Sequence, residues 1–256
     1  MISWFKPKLA ALSAAILFLA LGVIQPAAQD GQLVDLELIL AVDTSSSVSS
    51  QEFDLQMQGL AEAFRHPSVQ AAIEAAGDLG IAVAMVQWSD NRKQTVAIPW
   101  QVLRGAASAE AFAAEISRTP RFLVGGGTAL GGALDFSLRQ FGRNAFNGRR
   151  KVIDISGDGR TNQGAHPSRF RDEAVALGIT INGLAILNED VYVDRYYRYN
   201  VIGGTGAFVM TAQDYEDFSV AILEKLIKEI AGAPVASLPA PEPPNLAARS
   251  DLQSDP

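Results

Sequence analysis

The sequence contains no cysteine, and its 256 residues include only two histidines, His66 and His166. Without cysteine the chain forms no disulfide bonds, no cysteine-ligated zinc site and no lipid anchor on a cysteine. Histidine is too scarce for a multi-histidine metal site, so a metal centre in this chain would draw on oxygen ligands. Such ligands suit Mg²⁺, Mn²⁺ or Ca²⁺ far better than zinc or copper.

Positive charge is also in short supply. The chain has 21 lysine and arginine residues against 28 aspartate and glutamate residues, a formal net charge of −7. This balance argues against nucleic acid or an anionic membrane surface as a partner. Hydrophobic residues make up 48% of the chain and charged residues 19%, which is typical of a globular protein, and the length suffices for one sizeable α/β domain with extensions.

The first 28 residues have the pattern of a secretory signal peptide. Lys6 and Lys8 precede a mostly apolar run of 16 residues, 9–24, and small residues follow up to Ala28. Because a membrane span needs roughly 20 apolar residues, cleavage near Ala28 is favoured over an uncleaved anchor. The sequence therefore predicts an exported protein, periplasmic or secreted, which is attached to the membrane only if this segment stays uncleaved.

The other end of the chain is also distinct in composition. Residues 233–256 are rich in proline, alanine and serine and have little to bury. This composition predicts a flexible, partly extended tail or a plain solvated terminus. The domain itself is predicted to span residues 32–232.

Apolar runs and helical periodicities alternate through that domain. The predicted strands are 33–42, 80–89, 94–103, 151–156, 178–187 and 206–212, and the predicted helices are 51–65, 108–117, 128–141, 168–177 and 215–230. Strands separated by helices predict a doubly wound, mostly parallel sheet with helices on both faces. Pro99 cannot donate a ladder hydrogen bond, which places the strand 94–103 at an edge.

Three loops of this α/β pattern carry oxygen ligands. The first, VDTSSSVS, follows the first strand and offers Asp43, Ser45 and Ser47. The second, VGGGTALGGAL, leads into a helix and offers Thr128, and the third, ISGDGRTNQG, follows a strand and offers Asp158. Ligands in such sheets gather beyond the carboxyl ends of the strands, so the three loops are predicted to meet at one edge.

The D-x-S-x-S spacing has a physical basis. Side chains two residues apart in an extended segment point the same way, so the aspartate and the two serines of this motif can converge. Ser46, Ser49 and Ser50 are then predicted to bond the backbone or cap the next helix. Each loop alone is better explained by a serine-rich cap, a glycine turn or an Asp-Gly turn, all of which are common. Their occurrence together, in order, favours a shared cation.

The stretches DTSSS, GGGTAL and SGDG together resemble a von Willebrand factor type A (VWA) domain with a metal-ion-dependent adhesion site (MIDAS), over about 33–230. The signal segment and VIDISGDGRTN are similar to an uncharacterised group of bacterial exported proteins with this domain. The resemblance implies a Rossmann-like sheet with one antiparallel edge strand and a cation held by Asp43, Ser45, Ser47, Thr128 and Asp158. Gly157 departs from the usual pattern and leaves Asp154 as an alternative; Asp158 is preferred because Asp154 lies mid-strand.

In this family an acidic group of a partner protein often completes the coordination of the cation. Mg²⁺ is the favoured ion, with Mn²⁺ or Ca²⁺ as alternatives, and it takes about six ligands. Two carboxylates and three neutral hydroxyls leave room for a further ligand and do not neutralise the cation as more carboxylates would. A partner carboxylate is therefore favoured electrostatically.

An enzymatic function receives little support from motifs. The chain has no G-x-x-x-x-G-K-[ST] and no G-x-S-x-G, and GGGTAL fails G-x-G-x-x-G because Leu130 stands at its last position. His66 and His166 each precede proline, which favours loops or helix starts over a catalytic pair. We predict no catalytic residue and no organic cofactor; a metal-independent structural or chaperone-like module and, less so, a metal-dependent hydrolase are the alternatives.

Two further segments allow two interpretations each. SDNRKQ (residues 89–94) either lines the predicted site or forms a solvated turn. EDVYVDRYYRYN (residues 189–200) is either an amphipathic helix packed on the domain or part of a partner surface, since tyrosine and arginine are enriched at binding hot spots. On the second interpretation Tyr196 and Tyr197 contact the partner, and their replacement leaves folding intact.

Overall fold

The structure, a computed structural model, describes Met1 and residues 31–232. The predicted signal peptide, apart from Met1, and the predicted tail 233–256 lie outside the described residues. Among the helices within 31–232, none is both long and apolar enough to cross a membrane.

Strands and helices alternate along residues 31–232. The strands are β1 (Gln32–Asp43), β2 (Ile81–Trp88), β3 (Gln94–Leu103), β4 (Phe146–Gly157), β5 (Thr180–Ile186) and β6 (Val209–Ala212). The helices are α1 (Ser50–Arg65), α2 (Pro67–Ala75), α3 (Ala106–Arg118), α4 (Leu130–Phe141), α5 (Pro167–Ala176), α6 (Val193–Asn200) and α7 (Phe218–Ala231).

The six strands form one sheet in the order β3-β2-β1-β4-β5-β6. All neighbours are parallel except β2 and β3, so the edge strand β3 is antiparallel. Pro99 lies beside an irregularity in the β2–β3 pairing, where a missing donor costs least. The predicted doubly wound, mostly parallel sheet with one antiparallel edge strand is confirmed. The strand order reverses between β1 and β4, which makes the crevice beyond their carboxyl ends the expected ligand position.

Strand β1 is buried on both faces of the sheet. Its side chains alternate between two hydrophobic layers: Leu38 and Leu40 pack into the layer that contains α1 and α7, and Ile39 and Ala41 into the layer that contains α4. A central parallel strand is buried on both faces and therefore reads as a continuous apolar run. This double burial holds the end of β1 at Asp43 in a fixed position.

Helix starts follow local chemistry that the sequence displays. Ser49 caps α1: its Oγ accepts from the Glu52 amide at 3.2 Å, and Glu52 Oε2 accepts from the Ser49 amide at 2.7 Å. His66 and His166 cap α2 and α5, each with proline in the first turn of the helix and with Nδ1 accepting from the amide two residues on. The predictions that Ser49 caps a helix and that both histidines stand at helix starts are confirmed.

A buried charged cluster joins α7 to the middle of the sheet. Lys225 Nζ lies 2.5 Å from Asp154 Oδ1 and 2.6 Å from Glu229 Oε1, and Asn182 Nδ2 donates to the same Glu229 oxygen at 2.8 Å. All four side chains are buried. Asp154 is thereby engaged by α7 rather than by the loop after β4.

This cluster makes stability depend on pH. Burial raises the pKa of Glu229 from 4.5 to about 8; Asp154 adds to the shift, and Lys225 and Asn182 oppose it. Arg150 also faces Glu229, donating to its carbonyl. Between pH 5 and 8 the folded chain holds a proton that the unfolded chain has released, so the free energy of unfolding falls as pH rises, by up to ~1.4 kcal/mol per pH unit.

Glu229→Gln is expected to remove this part of the pH dependence. Urea unfolding of both proteins in EDTA at pH 5, 6, 7 and 8 measures it. The stability of the wild type relative to the variant should fall steadily across the series. A constant difference would show that Glu229 does not titrate in this range.

Candidate metal centre

Asp43 lies at the expected end of the sheet, where the parallel strands have their carboxyl ends. Asp43 is the last residue of β1, and its Oδ1 accepts from the Ser45 amide at 2.7 Å, which turns the chain sharply after the strand. The side chain is fully buried, and its Oδ2 has no hydrogen-bond partner among the described residues. An unpaired buried carboxylate oxygen is costly, so this atom indicates a missing positive or donor group.

Ser45, Ser47 and Asp158 form a connected chain of oxygens next to Asp43. Ser45 Oγ and Ser47 Oγ lie 3.1 Å apart, and Ser47 Oγ donates to Asp158 Oδ1 at 2.8 Å. Asp158 follows β4 directly, so the neighbouring ends of β1 and β4 bring these residues together across 111 positions of sequence. The structure thus places Asp158, and not Asp154, beside the D-x-S-x-S loop.

The glycine turn 125–127 brings Thr128 to the same edge. Ser46 Oγ donates to the Gly126 carbonyl at 2.8 Å and accepts from its amide at 2.9 Å, which joins this turn to the loop after β1. The Thr128 amide donates to Asn162 Oδ1 at 2.9 Å, and Thr128 Oγ1 lies 3.4 Å from the position that a Cβ on Gly159 would take. Thr128 is therefore adjacent to the loop that carries Asp158.

The segment 89–94 supports this turn. Ser89 is fully buried, and its Oγ donates to the Gly125 carbonyl at 2.7 Å. Lys93 Nζ lies 3.3 Å from the same carbonyl. Ser89 and Lys93 consequently line the back of the glycine turn, while Arg92 is exposed to solvent.

The electrostatics of the site favour a cation. Burial, and then the neighbouring Asp158 carboxylate, raise the pKa of Asp43 from 3.8 to about 8. Burial also raises the pKa of Asp158. Within the described residues no three histidine or carboxylate side chains form a possible metal cluster, so a cation here would combine two carboxylates with neutral oxygens. The five predicted ligands are all hard oxygen donors, which suit a small divalent cation. They are Asp43, Ser45, Ser47, Thr128 and Asp158.

Four residues support the site without being proposed ligands, and none of them was predicted in that role from the sequence. Tyr215 donates through its hydroxyl to Asp158 Oδ2 at 3.1 Å. Arg121 Nη2 donates to the carbonyls of Thr44 at 2.8 Å and Ser45 at 3.0 Å, which fixes the loop after β1 from outside. The other two, Gly157 and Tyr197, lie beneath Asp43.

Gly157 has a steric reason for its identity. A Cβ at this position would stand 2.7 Å from Asp43 Oδ2 and 2.8 Å from the Tyr197 hydroxyl oxygen, closer than real Cβ atoms come. Tyr197 is fully buried, and its hydroxyl has no partner among the described residues. The interpretation of Tyr197 as an exposed partner contact is therefore wrong: it packs inside the domain, whereas Tyr196 is partly exposed.

Comparison with known proteins identifies the family and the fold of this chain. The family described as "Protein of unknown function (DUF1194)" matches residues 33–234. No curated protein sequence matches the chain. Among solved structures, proximal thread matrix protein 1 from the mussel byssus is 18% identical with a TM-score of 0.59, over 78% of this chain and 48% of that one. The same mussel protein has also been crystallised with a zinc-occupied MIDAS motif.

Two further structures have the same fold. A von Willebrand factor type A protein from Catenulispora acidiphila is 18% identical with a TM-score of 0.52, over 77% of this chain and 43% of that one. The manganese-loaded TRAP protein of Plasmodium vivax is 14% identical with a TM-score of 0.52, over 77% and 74%. The chain matches 48% of the length of the mussel protein and 43% of the length of the Catenulispora protein. It belongs to the DUF1194 family, and its described domain has the von Willebrand factor type A fold.

Proposed function

We propose that this chain holds a divalent cation at a MIDAS formed by Asp43, Ser45, Ser47, Thr128 and Asp158, and uses it to bind an acidic group of a partner protein. Mg²⁺ is the proposed ion. Bound there, the cation supplies positive charge and a coordination position for the partner's carboxylate. The observation that carries the proposal is the buried Asp43 Oδ2, which has no hydrogen-bond partner within residues 31–232, together with the neighbouring Ser47–Asp158 hydrogen bond.

The ligand chemistry supports a carboxylate as the partner group. Three of the five proposed ligands are neutral hydroxyls. The two carboxylates can balance the charge of the ion but add no excess negative charge, so the cation still attracts an incoming carboxylate. The mussel protein with a zinc-occupied MIDAS and the manganese-loaded TRAP protein support a divalent cation in this fold. An acidic chain can by this means bind an acidic partner.

The surface around the site supports a protein partner. Phe122 and Val124, just before the glycine turn, are 54% and 75% exposed. On α6 and just before it, Tyr199 and Tyr192 are 73% and 55% exposed, and the guanidinium of Arg195 lies over the Tyr192 ring at 5.0 Å. Exposed aromatic and arginine side chains are enriched at protein interfaces.

The same proposal covers export and domain organisation. We propose that a signal peptide at 1–28 directs the VWA domain, 32–232, to the periplasm or outside the cell. We propose a binding protein rather than an enzyme, because the Ser47 hydroxyl and the Asp158 carboxylate that it contacts are both proposed ligands of the cation, and both histidines are engaged as helix caps.

The test is capture of partners from the cell envelope with immobilised protein. A protein should bind in Mg²⁺, leave the column in EDTA, and fail to bind the Asp43→Asn variant. The Asp54→Ala variant, which removes an exposed carboxylate on α1, should capture it as the wild type does. Capture that withstands EDTA and Asp43→Asn would contradict the proposal and favour the metal-independent module; Mg²⁺-dependent hydrolysis by the pure protein would favour the enzyme.

A further inference from the structure

Lys225 carries a nucleophilic group that the proposed metal centre does not use. Its side chain is fully buried, and its two carboxyl neighbours, Asp154 on β4 and Glu229 on α7, are buried as well. Lysine is rarely found in this position, because a charged side chain is costly to remove from water. An amine that is held in a dry interior against a carboxyl group is also in position to react with it.

The amine of Lys225 is close to the carboxyl carbon of Asp154. Nζ lies 2.5 Å from Asp154 Oδ1, and a carbon–oxygen bond is about 1.2 Å long, so Nζ is within about 3.7 Å of Cγ. Reacting atoms in a near-attack arrangement are about 3–3.5 Å apart. The other oxygen, Asp154 Oδ2, has no hydrogen-bond partner within residues 31–232. It can therefore leave without breaking a hydrogen bond to that part of the chain.

Glu229 is in position to carry the proton of such a reaction. Its Oε1 lies 2.6 Å from the same Lys225 nitrogen, and Asn182 Nδ2 donates to that oxygen at 2.8 Å, which fixes the carboxyl group. Burial raises the pKa of Glu229 to about 8, and the neighbouring Asp154 adds to the shift. A carboxyl group with a pKa near the working pH can both take and give a proton.

The surroundings of the amine favour the neutral reactants. The centre of the Phe208 ring is 5.8 Å from Lys225 Nζ, and Leu40 and Ile222 border the same small space as Asp154. Burial disfavours charged groups, so transfer of one proton from the ammonium to the Asp154 carboxylate removes two buried charges. The products of this transfer are an amine and a carboxylic acid, the two groups from which an amide forms.

We propose that Lys225 and Asp154 form an amide bond inside the folded domain, with Glu229 as the group that moves the proton. The neutral Nζ bonds to Asp154 Cγ and loses one proton to Glu229. Glu229 returns one proton to the hydroxyl that leaves Cγ, and one water molecule is released. No oxidant or other co-reactant takes part. The ion pair described above is the reactant, and its energetics belong to the chain before the bond forms.

This bond joins α7 covalently to the middle of the sheet. A cross-link lowers the conformational entropy of the unfolded chain and so favours the folded state. A chain without cysteine has no disulfide to do the same. The bond needs neither the cation of the metal centre nor the partner proposed for it.

Peptide mapping of the full chain, purified in EDTA, tests for the bond directly. The chain is unfolded in urea, which separates an ion pair but not an amide, and is then digested with trypsin. Unlinked chains give Asp154 in the peptide 152–160 and Lys225 at the end of the peptide 199–225. In linked chains cleavage after Lys225 is blocked. A species in which 152–160 is joined to 199–228, lighter than the two together by one water molecule, should therefore replace most of the separate peptides.

The same digest contains a matched control. Lys151 Nζ lies 3.5 Å from Glu37 Oε1, but Lys151 is only partly buried, so trypsin should cleave after it and no peptide should be joined through it. Glu229→Gln keeps the shape of the side chain but cannot move the proton, and freshly made variant should form the joined species at least about 100-fold more slowly. Separate peptides alone in the wild type would overturn the proposal, whatever the variant does. Equally fast linkage in Glu229→Gln would overturn the role of Glu229.

Discussion

Asp43→Asn is expected to weaken binding of Mg²⁺ or Mn²⁺ by at least about 100-fold, since even the outer partners of metal ligands are worth 10–100-fold. The amide matches the carboxylate in shape but lacks its charge. It replaces the carboxylate whose buried Oδ2 has no hydrogen-bond partner in the part of the chain that the structure describes. Calorimetric titration of metal into the chelator-treated protein gives the affinity directly. Thermal unfolding gives a second readout, because an ion at 100 times its dissociation constant adds about 2.7 kcal/mol to the free energy of unfolding.

Two comparisons make the result specific to the site. Asp54→Ala removes an exposed carboxylate on the helix that follows the metal loop, and it should bind metal as the wild type does. Ser47→Ala removes both a proposed ligand and the donor to Asp158 Oδ1, so it should weaken binding, though less than the loss of a charge. Metal affinity that is the same in Asp43→Asn and the wild type would remove the basis of the proposed adhesion site.

The parts of the fold that were predicted from sequence are those that leave a pattern in consecutive residues. The apolar run of β1 arises from burial on two faces, and Ser49 with Glu52 forms a capping box that needs no other part of the chain. Helix α2 was missed, because its nine residues follow α1 after one residue and bury only Val69 and Ile73. Such a short helix is stabilised by tertiary contacts more than by its own periodicity.

The first half of β4 was missed for a related reason. Residues 146–150, FNGRR, are mostly polar and only partly buried, because they pair with the exposed beginning of β1. Gly148 belongs there for a reason that no pattern displays: a Cβ would stand 2.7 Å from the Arg150 carbonyl oxygen and 2.9 Å from the Glu37 amide nitrogen. Strand pairing partners, which are set by topology, decide this segment.

The residues of the candidate site also fall into a group that the sequence predicts and a group that it does not. Asp43, Ser45 and Ser47 are within one loop, and the sheet rule brings Asp158 to them, so spacing and topology together predict the cluster. Tyr215 and Arg121 reach the site from far along the chain, at 57 positions from Asp158 and 77 from Thr44. Their residue types are common on any surface. Sequence therefore predicts the proposed ligands of the cation but not the side chains that hold them in place.

Lys225→Met is expected to lower the free energy of unfolding by about 3–5 kcal/mol, the usual cost of leaving a buried ion pair without one partner. Lys225 is the ammonium group between Asp154, at 2.5 Å, and Glu229, at 2.6 Å, and all three side chains are buried. Without it, Asp154 keeps a buried carboxylate with no counter-charge on α7. Urea unfolding at neutral pH measures the loss.

A matched variant and a rescue separate this charge effect from loss of packing. Lys228→Met, three residues further along α7, removes an exposed lysine that lies over the Phe208 ring, so it should cost about 1 kcal/mol or less. Adding Asp154→Asn and Glu229→Gln to Lys225→Met removes the unpaired carboxyls and should recover at least half of the loss. If the single variant is as stable as Lys228→Met, the carboxyls are not held by Lys225, and another group must compensate their charge.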